Sequence, residues 1–205
     1  MAEAHYREVL KATSLIGGSS FINILIGMVR TKFVAELLGP SGVGLISMYQ
    51  TITGTIGTIS GMGMATSGVR QIAESYGSGG EERIARTVKT LRRTAWLSGI
   101  LGMLIAIVGS RWLSILSFGS AEHATALAFL GLTILLAAVS TGLGCILQGT
   151  RRIADLARIN ILSALSGTLI SVPCFLFWGL DGIAPSLLLC SVAGLATSWL
   201  SLIHI

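Results

Sequence analysis

Six stretches with few or no charged residues follow one another along this chain, at positions 12–29, 37–69, 94–110, 124–150, 159–180 and 182–203. Most reach the roughly 20 residues that a helix rising 1.5 Å per residue needs to cross about 30 Å of hydrocarbon. The third is the shortest and can be extended past Arg111 to Gly119. In hydrocarbon every backbone N–H and C=O must find its partner inside the protein, so such segments are helices or closed barrels. The polar–apolar alternation of a membrane barrel is absent. With 52% hydrophobic and 11% charged residues, the chain stands well below the about 25% charge of a soluble domain. The fold class that follows is an all-α polytopic membrane protein, a six-transmembrane-helix bundle. Its helices are predicted at about 12–38, 43–66, 94–117, 124–148, 157–178 and 183–203, in a single domain over 1–205.

The basic balance belongs to the membrane and not to nucleic acid. Of 14 Lys and Arg residues, 11 fall before the first helix, between the second and third, or between the fourth and fifth; only Arg30, Lys32 and Arg111 fall on the other side. This is the positive-inside pattern. It predicts a multi-pass membrane protein with its N-terminus and the other end of the chain in the cytoplasm. Trp96, Trp112, Trp178 and Trp199 sit at ends of predicted spans, where an amphipathic indole is favoured. Cys145, Cys174 and Cys190 are far apart and inside predicted helices, so they read as small buried residues and not as disulfide or metal ligands. The N-terminus lacks a signal-cleavage pattern, and the first helix is expected to stay.

Along the chain, "LGPSGVG" at 38–44 is a turn, because Pro40 cannot continue a helix and its glycines allow unusual dihedrals. The following helix carries Gly54, Gly57 and Gly61 among Thr and Ser, with Gln50 ahead of them. These four are candidates for a cavity or hinge. Close helix packing of the Gly57–Gly61 pair and a pliable helix lining a cavity both account for the glycines. The hydrophilic segment 76–93 carries Arg83, Arg86, Lys89, Arg92 and Arg93, with Ile84, Val88, Leu91 and Ala95 at helical spacing. It reads as an amphipathic helix on the cytoplasmic surface in contact with anionic lipid.

Catalysis finds no support. The acids form no D-x-x-D or D-D pair that could hold magnesium on a diphosphate, the three histidines are scattered, and no serine sits in a G-x-S-x-G elbow. No metal or cofactor is expected. Arg30 and Lys32 stand near the far end of the first helix, with Glu36 four residues after Lys32. A charge at depth costs about 2.5–3.5 kcal/mol on insertion scales unless it meets water, a partner or protein. Lys32 and Glu36 fit snorkelling and mutual pairing. Arg30 fits either snorkelling or a water-filled cavity, where its planar fork suits phosphate oxygens.

"RTKFVAELLGPSGVGLISMYQTITGTIGTISGMGMATSGVRQIAE", together with "LQGTRRIADLARINILSALSG", resembles bacterial O-antigen and polysaccharide flippases of the multidrug/oligosaccharidyl-lipid/polysaccharide exporter superfamily. The resemblance implies two six-helix lobes related by an axis along the membrane normal, of which this chain supplies the N-terminal one. "SWLSLIHI" stops inside an apolar helix, so a truncated chain with the second lobe missing and a non-native tail is expected. The implied activity is alternating-access transfer of a polyprenyl-diphosphate-linked oligosaccharide between leaflets. The implied partners are that substrate, membrane lipids and polysaccharide polymerase machinery. "G-x-x-R" at Gly27 to Arg30 matches the setting of a cavity arginine in related peptidoglycan-precursor flippases, whose second arginine is replaced here by Ile24. That makes Arg30, with Lys32, the substrate-binding candidate. A multidrug/cation antiporter of the same superfamily is the alternative, disfavoured by the absence of a central Asp or Glu; a non-transporting membrane scaffold is another.

The topology is testable by cysteine labelling. Cysteines introduced at Ser78 and Ser120 of an otherwise Cys-free chain are expected to react with an impermeant thiol reagent from opposite sides of the membrane. Labelling from one side only would contradict the six-helix layout.

Overall fold

The computed structural model describes residues 2–77 and 80–203; Ser78 and the terminal His204 and Ile205 lie outside the described residues. Among these the chain is helical, with no strand. Its elements are α1 (Ala2–Gly61), α2 (Met64–Gly77), α3 (Glu81–Phe118), α4 (Ala124–Gly149), α5 (Ile153–Trp178), a 3-10 turn at Gly179–Gly182, and α6 (Ile183–Ile203). Three segments are long and apolar enough to cross a membrane: Glu82–Phe118, Ala124–Gly149 and Ile153–Leu200. All four tryptophans are exposed, as are many large aliphatic side chains, which suits a surface facing lipid more than water.

α1 is two limbs and not one rod. Gly39 leaves the helical region with φ 69° and ψ −172°, and Pro40 starts the second limb. Gly27 and Gln50 border the same small cavity, although a straight helix would hold them about 35 Å apart. The limbs are therefore folded back on each other, with Gly27, Arg30 and Val34 of one facing Gln50, Ile46 and Val43 of the other. Gly42 sits in the bend, where an added Cβ would overlap Leu38.

The second limb ends earlier than the sequence pattern suggests. Met62 (φ 42°) and Gly63 (φ 73°) break the chain, so the helix expected over 43–66 stops at Gly61 and α2 starts afresh at Met64. The third helix differs in the other direction. The basic segment and the apolar span form one helix of 38 residues, about 57 Å long, instead of a helix beginning near 94. The apolar face of the basic segment packs on protein. Leu91 and Val88 pack with Ile72 and Val69 of α2 and Cys145 and Ile146 of α4, while the basic residues of the segment point outward. Its amphipathic period is explained by helix packing.

α4 is the most buried of the three candidate spans and packs against each of the other helices. Small residues make this possible: an added Cβ at Gly142 would meet Ala95, and one at Gly149 would overlap Ile72. α5 and α6 form a hairpin. Ser163 bonds Thr197 at 2.9 Å, Gly167 accepts from the Cys190 thiol at 3.3 Å, and Gly182 presses on the Cys174 carbonyl. The partner number falls as the first rises, so the helices run antiparallel, and the 48-residue candidate span Ile153–Leu200 is two arms. These arms, 26 and 21 residues long, measure about 39 and 31 Å. Buried Ser98, Ser171 and Ser186 return their hydroxyls to carbonyls one turn back in their own helices, which satisfies these three donors inside the core. At one end, Tyr49 bonds His123 Nδ1 at 3.1 Å, and Phe118 lies 4.4 Å from the same imidazole ring, tying α1 to the α3–α4 turn.

Two glycine substitutions should separate backbone need from side-chain space. Gly39→Ala is expected to lower the thermal midpoint of the purified protein, because that dihedral pair is essentially reserved for glycine and costs about 1–3 kcal/mol otherwise. Gly54→Ala should leave the midpoint unchanged or raise it, since an added Cβ there meets nothing within 4 Å. Equal effects from both would contradict the bend as described.

Candidate functional site

The second limb of α1 gives up helix propensity at three glycines to keep one face bare. Gln50, Gly54, Gly57 and Gly61 recur at spacings of four and three, which puts them on one side of the helix. They border a cavity of about 470 Å³ together with Thr53, Thr58, Thr133 and Thr141. An added Cβ at Gly54, Gly57 or Gly61 meets nothing within 4 Å. Among the described residues no helix packs closely on these glycines. They widen a cleft.

The opposite wall comes from α4, where Thr133, Ala137, Thr141, Gly144 and Gln148 repeat every three or four residues. Ala65, Ala137 and Thr141 also border a second cavity of about 430 Å³, which continues past Gln148 to Asn160, Ser163 and Ser191 on α5 and α6. Most of these hydroxyls bond their own backbone, as Thr58 does to Gly54 and Thr141 to Ala137 at 2.9 Å; the Oγ1 of Thr133 is buried without a partner. The sequence reading missed the α4 wall. Its signal was present as small and polar residues at helical spacing inside an otherwise aliphatic helix.

Arg30 occupies a smaller chamber of about 280 Å³ between the two α1 limbs, bordered by Gly27, Thr31, Ile46, Ser47 and Gln50. Gln50 borders both this chamber and the glycine cleft, so the two adjoin. The guanidinium is half-buried and one Nη2 approaches the Cys190 sulfur of α6 at 4.0 Å, a weak contact. No carboxylate lies within ion-pair range of it among the described residues. Arg30 lies nine positions before Gly39, about 13 Å along the helix, too far for its side chain to reach the bend.

Lys32 is not brought to this chamber. It points away, exposed, and pairs with Glu36 at 3.9 Å, a surface contact of small energetic weight. The remaining basic candidates are separate as well. Arg83, Arg86, Lys89, Arg92 and Arg93 are exposed on the first turns of α3, where Arg86 pairs with Glu82 at 3.6 Å. On neighbouring α2, the 2.8 Å hydrogen bond from Arg70 to Glu74, reinforced by the carboxylate charge, raises the Arg70 pKa above its ordinary value.

Chemically the chambers offer hydroxyl and amide groups plus one positive charge, and no acid borders any of them. Among the described residues, no three His, Cys, Asp or Glu side chains come close enough to hold a metal. Such a lining suits a neutral, hydroxyl-rich ligand with an anionic group at one end.

Water in the cleft is directly testable. In a chain whose three native cysteines are replaced by alanine, Gly57→Cys is expected to react with a charged, water-borne thiol reagent, and Leu130→Cys, fully buried, is not. Failure of Gly57→Cys to react would contradict an open, hydrated cleft.

A family model described as polysaccharide biosynthesis protein matches residues 9–205. No curated protein and no solved structure matches the chain at a significant level.

Proposed function

The chain belongs to the polysaccharide biosynthesis protein family, and on that premise we propose that it translocates a polyprenyl-diphosphate-linked oligosaccharide, such as an O-antigen repeat unit, across the bacterial cytoplasmic membrane. The observation that carries this reading is the Arg30 guanidinium, without an ion-pair partner among the described residues, in a chamber adjoining an uncharged, hydroxyl-lined cleft. A diphosphate needs a cation that is not already neutralised, and a planar fork of donors matches its oxygens better than a point charge does. Sugar hydroxyls need exchangeable hydrogen-bond partners without fixed charge, which Gln50 and the threonines supply.

In this reading the two α1 limbs, α3, α4 and the two arms of the α5–α6 hairpin make six crossings, and α2 lies at the cytoplasmic boundary beside the first turns of α3. A second lobe of like topology completes the cavity wall, and alternating access between the lobes moves the substrate. Arg30 holds the diphosphate and Lys32 stays at the boundary with Glu36. The protein is a transporter and not an enzyme, and it hands its product to polymerising machinery. The uncharged walls favour this over cation antiport, which needs an acid to bind the coupling ion.

The test is export in cells carrying substitutions in the chromosomal gene. Arg30→Ala is expected to lower export about tenfold or more with protein level unchanged, since leaving a buried charged group unpaired costs about 2–5 kcal/mol. Arg30→Lys should restore part of it, and Lys32→Ala should do little. The readout is lipid-linked oligosaccharide accumulating in the inner leaflet, normalised to protein. Normal export by Arg30→Ala would overturn the assignment.

A further inference from the structure

A crevice of about 440 Å³ opens between α2 and α3 where the chain breaks at Met62–Gly63. Its lining changes character along α3. Thr90 and Thr94, with Ser67 and Gln71 of α2, make one part polar; Leu97 and Leu101, with Met62, make the other apolar. Leu97, Leu101 and Met62 are all exposed, so the apolar part opens to the outside and not to the core. The change falls between Thr94 and Leu97, at the level of Trp96, itself exposed, and an exposed indole marks the border of headgroups and hydrocarbon. From Thr90 to Leu101 the lining runs about 16 Å, enough for a headgroup and the upper part of a chain.

The charge at its polar end is positive. Arg86 and Arg93 stand four residues before and three after Thr90, so both neighbour it on the helix surface. Arg86 is held by Glu82 at 3.6 Å, and Arg70 of α2 by Glu74 at 2.8 Å. Arg93 has no ion-pair partner among the described residues. Lys89, four residues before Arg93 and so beside it on the helix surface, has no ion-pair partner among the described residues either. This net positive charge beside Thr90 and Thr94, above a row of exposed aliphatic side chains, is complementary to an anionic phosphodiester carrying an acyl chain.

We propose that this crevice is a binding site for an anionic phospholipid of the surrounding bilayer, with its phosphodiester on Arg93, seated beside Thr90 and Thr94, whose hydroxyls donate to carbonyls one turn back in α3, and an acyl chain along Leu97 and Leu101. The crevice and the glycine cleft share Gly61, Met64 and Ser98 as walls, so a lipid seated there braces the α1–α2 break that closes the cleft at this end. This goes beyond the transport reading and holds whether or not Arg30 binds a diphosphate.

The experiment titrates the purified full chain in detergent with phosphatidylglycerol or with phosphatidylcholine of the same acyl chains, reading the thermal midpoint and, by native mass spectrometry, the lipid retained. The wild-type protein is expected to show a saturable rise in midpoint and one retained lipid with phosphatidylglycerol only. Arg93→Gln should bind about fivefold more weakly, as the attraction of one basic residue to an anionic headgroup implies. Thr94→Phe, which fills the crevice, should abolish the effect. Arg92→Gln removes the same charge from a different face of α3 and should behave as wild type. Equal shifts with both lipids, an undiminished shift in Arg93→Gln, or a loss in Arg92→Gln matching that in Arg93→Gln would overturn the proposal. So would a shift produced by undecaprenyl phosphate and not by phosphatidylglycerol, which would give the crevice to an isoprenoid lipid.

Discussion

A backbone that leaves the helix at Gly39 with φ 69° and re-enters it at Pro40 makes a single helix lie back against itself. The proline supplies no N–H and the glycine tolerates a dihedral pair closed to other residues, so the reversal takes one residue outside the helix. Its consequence is positional. Arg30 on the first limb meets Ile46, Ser47 and Gln50 on the second, and Gln50 joins the arginine chamber to the glycine-lined cleft. Without the fold-back, Arg30 would stand on an isolated rod and the glycines would be far from it.

Glycine is used in two opposite ways in this bundle. At Gly142 and Gly149 its lack of a side chain lets neighbours touch, and α4 is buried on several sides as a result. At Gly54, Gly57 and Gly61 nothing fills the space that a side chain would occupy, and the result is a cleft. The hydroxyls follow the same division. Buried serines satisfy themselves on their own helices, whereas Thr53, Thr58 and Thr141 border the open cleft.

The all-helical character was legible in the sequence because backbone in hydrocarbon has few solutions, and the bend because proline follows glycine in "LGPSG". The break at Met62–Gly63 was not legible: it lies inside a run where five glycines offer equivalent places to stop, and the packing of α2 on α3 and α4 chooses among them. The continuity of α3 was obscured by its change from basic to apolar composition, which affects what surrounds a helix and not whether it continues. Glycine spacing alone fits close packing and open space equally well, so only the placement of the facing helix distinguishes them. Arg30 stood out as a charge in an apolar helix. The α4 wall did not, because threonine and alanine at helical spacing look like ordinary variation until the facing limb is placed.

The central claim is that a diphosphate-linked oligosaccharide occupies the cleft between the second limb of α1 and α4. The most direct measurement is photocrosslinking in membranes from a benzophenone amino acid placed at Thr53, which borders the cleft, and at Leu169, which is exposed on the outside of α5. The account expects the Thr53 probe to capture lipid-linked oligosaccharide and the Leu169 probe to capture only bulk phospholipid. Capture of the oligosaccharide lipid from Leu169 and not from Thr53 would contradict it.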